Sequence, residues 1–241
     1  MDIYQDLIDS IKDSFNEKIV DLRIGIRWSC VLTKKLGISL VYNNNKHFTD
    51  LEDAGNFIGK EVDELLNYLK TFDTLKIGIG LATLNSLLKT PENFEDYNIF
   101  DYLIEKGKDK KIVFIGHFGD IYKLKDIARQ IIIIERFPRE EDYLDTFQEY
   151  LIPDADIVAI TGSTFVNKSI KRILELSKNS YTIVFGPSTP LSNVLFDYGV
   201  DMIGGLMIYE DKKVLDIISQ GGSFNNFKKY VNFITIKRQT L

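Results

Sequence analysis

The second half of the chain, from about Lys111 onward, carries the pattern that most restricts the fold. Short, uninterrupted apolar runs alternate there with segments of helical periodicity. Strands that are buried on both faces of a parallel sheet have this character, because helices cover both faces. The predicted strands are residues 112–115, 131–134, 157–160, 182–185 and 202–208, and the predicted helices are residues 121–129, 143–150, 165–177, 191–198 and 213–219. The pattern predicts an α/β fold with a Rossmann-like domain built on a mostly parallel sheet.

The beginning of the chain has a different pattern. Apolar residues between Ile3 and Phe15 are spaced as on one face of an amphipathic helix. Residues 19–28 and 38–42 lie on either side of a turn at residues 34–37, which predicts an antiparallel hairpin.

Further helices are predicted at residues 62–69, 79–88 and 99–105, before a run of lysines that contains Gly107. A glycine within such a polar run indicates a domain boundary. We expect a small α+β domain over residues 1–108 and the Rossmann-like domain over residues 109–241.

Charge and hydropathy exclude two classes of partner. The net charge is −5, and the lysines and arginines are scattered along the chain rather than collected in one stripe. Nucleic-acid binding needs a basic face that neutralises phosphates, so we expect no nucleic-acid partner. No apolar run reaches the roughly 18 residues of a membrane span, and residues 1–6 begin an acidic helix rather than a signal peptide. We therefore expect a cytoplasmic protein without a membrane partner.

Few residues in this chain are soft metal ligands. Cys30 is the only cysteine, and His47 and His117 are the only histidines. A closed zinc or iron–sulfur site needs more cysteine and histidine than one such chain supplies. A hard-cation site of carboxylates and hydroxyls stays open as an alternative, because it leaves little trace in residue spacing.

The first predicted strand of the parallel sheet ends in a glycine-containing loop, and an acid follows at the end of the second strand, about 20 residues later, as in nucleotide-binding folds. There the glycines let a ligand approach the backbone, and the acid accepts hydrogen bonds from ribose hydroxyls. The candidate cofactor-binding residues are Gly116, His117, Phe118, Gly119 and Glu135. In the alternative reading, the glycines only form a turn and Glu135 pairs with Arg136 or Arg139. His117 is also the one candidate for a general base or metal ligand at a strand end.

The third and fourth strands of this sheet end in polar loops. Ser163 or Thr164 is expected to cap the helix that follows strand three, but capping does not account for every polar group there. After strand four, Thr189 is expected to be an N-cap with Pro190 in the first helical turn, which leaves Ser188 presenting its hydroxyl to solvent. The candidate ligand-binding residues are Thr161, Gly162, Ser163, Thr164, Asn167, Gly186, Pro187, Ser188 and Thr189.

Four stretches of the sequence resemble the family known as the putative heavy-metal chelation domain. They are residues 77–88, 154–167, 186–192 and 196–201, the last followed by Gly204 and Gly205, and the resemblance, weaker in the N-terminal part, covers most of the chain. The resemblance implies an enolase-N-terminal-like domain followed by a Rossmann-like domain, with the active site in the cleft between them. It also implies a role in handling heavy metals, through a small-molecule chelator or a carboxylate-bound ion rather than a thiolate cage.

Three functional hypotheses follow. The first is a small-molecule enzyme or binding protein of the chelation family that uses the cleft between the two domains. The second is an enzyme with an adenosylmethionine-type or NAD-type cofactor, such as a methyltransferase or reductase. The third is a ligand sensor without turnover. A divalent metal ion and an adenosine-type cofactor are the two candidate cofactors, a small molecule is the expected partner, and a homodimer stays an open alternative.

Overall fold

A computed structural model of the chain describes residues 2–42, 50–139 and 141–239. In the N-terminal part, a three-stranded antiparallel sheet packs with α-helices. The strands are β1 (Asp21–Ile24), β2 (Trp28–Leu32) and β3 (Leu36–Leu40), and the helices are α1 (Ile3–Asp9), α2 (Asp63–Asn67) and α3 (Thr74–Leu87). Two of these helices begin at aspartate caps. Asp2 accepts a hydrogen bond from the backbone N–H of Tyr4, and Asp73 accepts from the backbone of Leu75 and Lys76.

The predicted hairpin is in fact a three-stranded sheet. Residues 19–28 do not form one strand, because the chain reverses between β1 and β2, where Gly25 donates its backbone N–H to the carbonyl of Trp28 (2.8 Å). The alternation of apolar and polar residues continues through this turn, so the sequence pattern does not reveal it. The turn between β2 and β3 covers residues 33–35, so Leu36 and Gly37 of the predicted turn belong to β3.

The small residues around α3 let this helix lie very close to β3. A Cβ atom on Gly37 of β3 would come within 2.1 Å of the Ala82 carbonyl oxygen, so this position requires glycine. Asn85 lies on the same helix and donates its side-chain amide to the carbonyl of Ile38 (3.1 Å). The close contact therefore brings a polar side chain of α3 against β3, the edge strand of the small sheet.

The C-terminal part contains a seven-stranded sheet among the described residues. Its strands are β4 (Lys111–Ile115), β5 (Gln130–Glu135), β6 (Tyr143–Leu144), β7 (Ile157–Thr161), β8 (Tyr181–Phe185), β9 (Met202–Ile208) and β10 (Val231–Lys237). The helices are α4 (Ile99–Lys106), α5 (Gln148–Leu151), α6 (Ile170–Leu176), α7 (Val194–Asp197), α8 (Asp211–Ser219) and α9 (Phe224–Phe227). Six strands are parallel and β10 is antiparallel, which confirms the predicted α/β fold with a mostly parallel sheet.

The strand order determines where a ligand can bind. The sheet runs β6-β5-β4-β7-β8-β9-β10, so the chain builds outward from β4 on one side and then returns to add β7 on the other. With β4 taken as the first strand, this is the 3-2-1-4-5-6 order of doubly wound sheets. The loops after β4 and β7 lead to opposite faces, and a crevice opens between them at the carboxyl ends of the strands.

The five predicted parallel strands are confirmed, whereas several of the predicted elements around them are wrong. The segment predicted as a helix at residues 121–129 forms only a 3₁₀ turn at Gly119–Leu124, and the one at residues 143–150 begins as the edge strand β6. The prediction misses the edge strand β10, in which Asn232, Phe233 and Lys237 are exposed and the other four residues are buried. The two-residue strand β6 and the single 3₁₀ turn are stabilised by their neighbours more than by their own sequence, so the local pattern carries little information about them.

The two parts of the chain share one hydrophobic core. Buried side chains of α1, α2 and α3 are continuous with those of β4, β7 and α6. Across this contact the hydroxyl of Tyr4 donates a hydrogen bond to the carbonyl of Phe165 (2.8 Å). The N-terminal part is therefore held directly over one face of the parallel sheet.

Helix α4 lies close to the predicted domain boundary at residue 108. Its apolar residues Ile99, Phe100 and Leu103 pack against Ile112 and Phe114 of β4, on the face of the sheet opposite to α1. The prediction assigns this helix to the N-terminal domain, whereas its packing makes it part of the core of the parallel sheet.

We expect Tyr4→Phe to lower the free energy of unfolding by about 1 to 2 kcal/mol, because the buried carbonyl of Phe165 loses its hydrogen-bond donor. Urea denaturation followed by circular dichroism measures this change. Tyr150→Phe is the matched control, since Tyr150 is 79% exposed and should change stability by less than about 0.5 kcal/mol. Equal effects of the two variants would contradict the role assigned to the Tyr4 hydroxyl.

Candidate functional site

A cleft lies at the carboxyl ends of β4, β5 and β7, where the strand order reverses. It encloses about 510 Å³ of space, counting the mouth that opens to solvent. Six residues predicted from the sequence line it: Gly116, Glu135, Thr161, Ser163, Thr164 and Asn167. The structure therefore unites residues from the predicted cofactor set and the predicted ligand set in one cavity, which we call the strand-end cleft.

The carboxylate of Glu135 is held in place by two backbone amides. It accepts hydrogen bonds from the N–H groups of His117 (2.9 Å) and Arg136 (3.1 Å). The alternative interpretation, in which Glu135 pairs with Arg136 or Arg139, is not what the described residues show, because the guanidinium of Arg136 pairs with Asp145 instead (2.8 Å). A carboxylate accepts about four hydrogen bonds, so Glu135 keeps acceptor capacity for a ligand in the cleft.

Gly116 adopts a conformation that suits glycine and makes a close contact. Its φ angle is 103°, and a Cβ atom there would lie 2.8 Å from Cγ2 of Thr161. Beyond it, Phe118 turns away from the cleft and stacks on Phe185 at 4.2 Å between ring centroids. Gly119 begins the 3₁₀ turn rather than an α-helix. No α-helix among the described residues therefore begins at this loop, so the helix N-terminus that binds pyrophosphate in dinucleotide folds is missing here.

The loop after β7 arranges its polar groups through local hydrogen bonds. The side chain of Thr161 accepts from the backbone N–H and the hydroxyl of Ser163, so Thr161 is the capping residue instead of the predicted Ser163 or Thr164. Asn167 accepts through Oδ1 from the backbone and hydroxyl of Ser169. Because Oδ1 is engaged, the Nδ2 group of Asn167 is the part of this amide that remains available as a donor to a ligand.

Several residues of the strand-end cleft were not predicted from the sequence. Arg136, Asp145 and Gln148 follow β5, and Tyr42 comes from the N-terminal part. The guanidinium of Arg136 lies over the ring of Tyr42, 5.8 Å from its centroid. Arg136 could have been predicted, because it directly follows the predicted site residue Glu135. Nothing in the sequence indicates that Tyr42 reaches this cavity.

His117 forms a pair with a buried carboxylate beside the cleft. Its Nδ1 atom lies 3.3 Å from both carboxylate oxygens of Asp142, whose side chain is only 2% exposed. The backbone N–H of Arg139 also donates to this carboxylate (3.1 Å). When Nδ1 donates to Asp142, Nε2 is left as the basic nitrogen of the imidazole. His117 does not line the cleft.

The loop after β8 consists of residues 186–189 and lies outside the strand-end cleft. It is found where the N-terminal and C-terminal parts of the chain meet. Ser188 is 3% exposed, and its hydroxyl accepts a hydrogen bond from the backbone N–H of Leu40 in β3 (2.9 Å). Its carbonyl accepts from the amide of Asn85 in α3 (3.3 Å). The expectation that Ser188 presents its hydroxyl to solvent is therefore wrong, because the small antiparallel sheet covers this loop.

Thr189 is not a helix cap. The chain continues as a loop until α7 begins at Val194, and Thr189 is 4% exposed with no hydrogen-bond partner for its hydroxyl among the described residues. Together with Lys35, Asn85 and Pro187 it lines a narrow cavity, which we call the junction pocket. Its cavity volume is about 30 Å³.

Gly162 separates the two cavities. A Cβ atom at this position would lie 2.5 Å from the hydroxyl oxygen of Thr189, so the end of β7 and the loop after β8 touch here. The residues on either side of it, Thr161 and Ser163, line the strand-end cleft, whereas Thr189 lines the junction pocket. The predicted ligand-binding residues are thus divided between two neighbouring cavities.

We expect Ser188→Ala to lower the free energy of unfolding by about 1 to 3 kcal/mol, because the amide of Leu40 loses its acceptor in a buried contact. Hydrogen exchange of the Leu40 amide should accelerate at the same time, since that amide becomes free to exchange once the contact is lost. Ser10→Ala removes an exposed serine hydroxyl and is the control, with little change expected in either quantity. Unchanged exchange at Leu40 in the first variant would contradict the role of this contact.

Two features are absent from the described part of the chain. Among residues 2–42, 50–139 and 141–239, no three acidic, histidine or cysteine side chains converge as metal ligands. Within the same ranges, no helix has the length and apolar character needed to cross a membrane.

Solved structures share this fold over nearly the whole chain. A protein of unknown function from the DUF364 family of Desulfitobacterium hafniense has a TM-score of 0.87 and 26% identity, with 98% of each chain covered. A second DUF364 protein of unknown function, from Pyrococcus horikoshii, has a TM-score of 0.86 and 17% identity over 98% of this chain and 99% of its own. At that lower identity the likeness concerns the fold alone.

Sequence comparisons identify the family. An uncharacterized protein of Methanocaldococcus jannaschii is 26% identical over 229 residues, which cover 88% of this chain and 86% of the relative. Two family profiles, both described as "Putative heavy-metal chelation", match residues 4–88 and 98–237. The second profile begins at α4, the helix that packs on the parallel sheet. The chain therefore belongs to the DUF364 family, whose description is putative heavy-metal chelation.

Proposed function

We propose that this protein binds a polar small molecule in the strand-end cleft. The observation that carries the proposal is the convergence of polar residues from three strand ends at the reversal point of a parallel sheet. Ligands of doubly wound sheets bind at this place, because the loops on either side leave a crevice there. Binding of a small ligand at this place is therefore the function that we propose for this member of the family.

The polar groups of the cleft suit a ligand that carries several hydroxyl groups. Glu135 supplies acceptor oxygens, Asn167 supplies amide donors, and the hydroxyl of Ser163, which donates its proton to Thr161, supplies a further acceptor. Arg136 and Asp145 form an ion pair beside these groups, which leaves the carboxylate of Glu135 as the one uncompensated charge among the described lining residues. A hydroxylated ligand satisfies such a mixed set of donors and acceptors better than a strongly charged ligand does.

The donor set of the cleft does not fit a soft metal ion held directly by the protein. Its side chains offer oxygen and amide nitrogen, whereas soft metals prefer thiolate and imidazole. Cys30 lies elsewhere, on β2, and burial raises the pKa of its thiol to about 12, so it is not a thiolate at neutral pH. If the family handles metals, this chain is suited to do so through an organic chelator.

A second candidate function is supported by the position of Glu135. In a sheet of this order, an acid at the end of the second strand accepts hydrogen bonds from the ribose hydroxyls of a bound nucleotide. Glu135 ends β5, the corresponding strand, and its carboxylate lines the cleft. Because the loop after β4 lacks a helix N-terminus for pyrophosphate, a Rossmann-like site here favours adenosylmethionine over NAD.

Titration of the ¹⁵N-labelled protein with ribose, adenosylmethionine and NAD tests both candidates. We expect ribose-containing ligands to shift the amide resonances of Gly116, Glu135 and Asn167, which surround the cleft. Glu135→Gln should weaken binding about tenfold, because one charged acceptor is replaced by a neutral amide. Glu175→Gln, an exposed carboxylate on α6, is the control and should bind normally.

Two outcomes would contradict these proposals. If no probe shifts a cleft amide at millimolar concentration, the cleft does not bind hydroxylated ligands and the proposed function is wrong. If NAD binds more tightly than adenosylmethionine, the argument from the missing helix N-terminus fails. Circular dichroism of Glu135→Gln would show whether lost binding reflects lost folding, since this carboxylate also holds the backbone of His117.

A further inference from the structure

The geometry of the junction pocket points to a second ligand site, separate from the strand-end cleft. We propose that Lys35, Asn85 and Thr189 bind a small carboxylate that carries a hydroxyl or amino group on the neighbouring carbon. Glycolate is the smallest hydroxylated member of this class. The proposal does not depend on the function proposed for the strand-end cleft.

The hydroxyl of Thr189 is the first observation. Its oxygen is buried, lines the pocket and has no hydrogen-bond partner among the described residues. Leaving a buried hydroxyl unpaired is unfavourable, and native structures usually pair such groups with protein, water or a ligand. A carboxylate oxygen would accept the proton of this hydroxyl.

Asn85 provides an acceptor in the same pocket. Its Nδ2 group donates to the carbonyls of Ile38 (3.1 Å) and Ser188 (3.3 Å), which fixes the orientation of the amide. Its Oδ1 atom is buried and has no donor within the described residues. This oxygen therefore needs an O–H or N–H group, which a simple anion such as chloride or acetate does not have.

Lys35 provides the positive charge. It lines the pocket at the turn between β2 and β3, and no carboxylate of the described residues lies within ion-pair distance of it. Burial lowers the pKa of its ammonium group. Its neighbour Lys34 is more exposed and pairs with Glu17 at 2.7 Å. An anion in the pocket would compensate for the partial desolvation of Lys35.

One acidic side chain close to this turn already has a partner. Burial raises the pKa of Asp211 at the start of α8, and a hydrogen bond from the backbone of Leu36 opposes that shift. Asp211 does not line the junction pocket. Asp211 therefore does not supply a negative charge to Lys35 inside the pocket.

The size of the pocket restricts the ligand. The cavity of about 30 Å³ holds about one to three water molecules, and the space measures about 500 Å³ when its open mouth is included. The walls include the apolar side chains of Leu36, Leu191 and Leu206. A two-carbon hydroxy acid or amino acid, or the end of a longer one that extends into the mouth, fits this shape and polarity.

Titration of the ¹⁵N-labelled full-length protein with glycolate tests the proposal, with acetate and chloride as matched probes. We expect glycolate to shift the amides of Asn85 and Thr189 at millimolar concentration and to bind about tenfold more tightly than acetate, which lacks the donor for Asn85. The amide of Glu135 should not shift, since it lies in the other cavity.

Two variants identify the contacts. Lys35→Met and Thr189→Val keep the size of the side chains and should each weaken glycolate binding about tenfold. Lys34→Met removes the neighbouring, solvent-exposed charge and is the control, with unchanged binding expected. Lys35 is only partly buried, so its variant tests the site even if Thr189→Val fails to fold.

Three results would overturn the proposal. Absence of any shift at Asn85 and Thr189 would mean that the pocket holds water only. Equal binding of glycolate, acetate and chloride would mean a non-specific anion effect at Lys35. Binding that Lys35→Met leaves unchanged would place the carboxylate elsewhere. Each result concerns only this pocket, so it can be distinguished from failure of the strand-end cleft to bind its probes.

Discussion

The hydrogen bonds between β3, α3 and the loop after β8 determine how the rest of this structure is arranged. The Ser188 hydroxyl accepts from Leu40, and Asn85 donates to Ile38 and Ser188, so one loop of the parallel sheet is fixed to both elements of the N-terminal part. This contact excludes solvent from the loop. It also places the small sheet beside the carboxyl ends of the large one, where both cavities lie.

The contact at Gly162 explains why the polar residues of the strand ends serve two cavities rather than one. Because glycine has no Cβ atom, the end of β7 lies directly against Thr189, and the loops after β7 and β8 form a continuous wall. Glu135 and Asn167 lie on one side of this wall, and Asn85 and Thr189 lie on the other. A larger residue at 162 would push these two loops apart and disturb both cavities together.

Local sequence patterns predicted the central part of the fold and much of the strand-end cleft. Buried parallel strands appear as continuous apolar runs, and the polar residues that follow them meet at one sheet edge whatever the details of the loops. For this reason the pattern of apolar runs is enough to place Gly116, Glu135 and Thr161 at the same edge of the sheet. The edge strand β6 and the short turn after Gly119 were mispredicted, because neighbouring strands stabilise them more than their own residues do, and β10 was missed.

The sequence by itself determined that the chain builds a mostly parallel sheet and that polar residues gather at its carboxyl edge, since both follow from patterns within a few residues. Only the tertiary structure decided which of these residues face a cavity. The hydroxyl of Ser188 binds a backbone amide 148 residues away in the chain, and Thr189 is buried by the same contact. No local pattern contains such a contact, because it depends on where the N-terminal sheet packs against the C-terminal one.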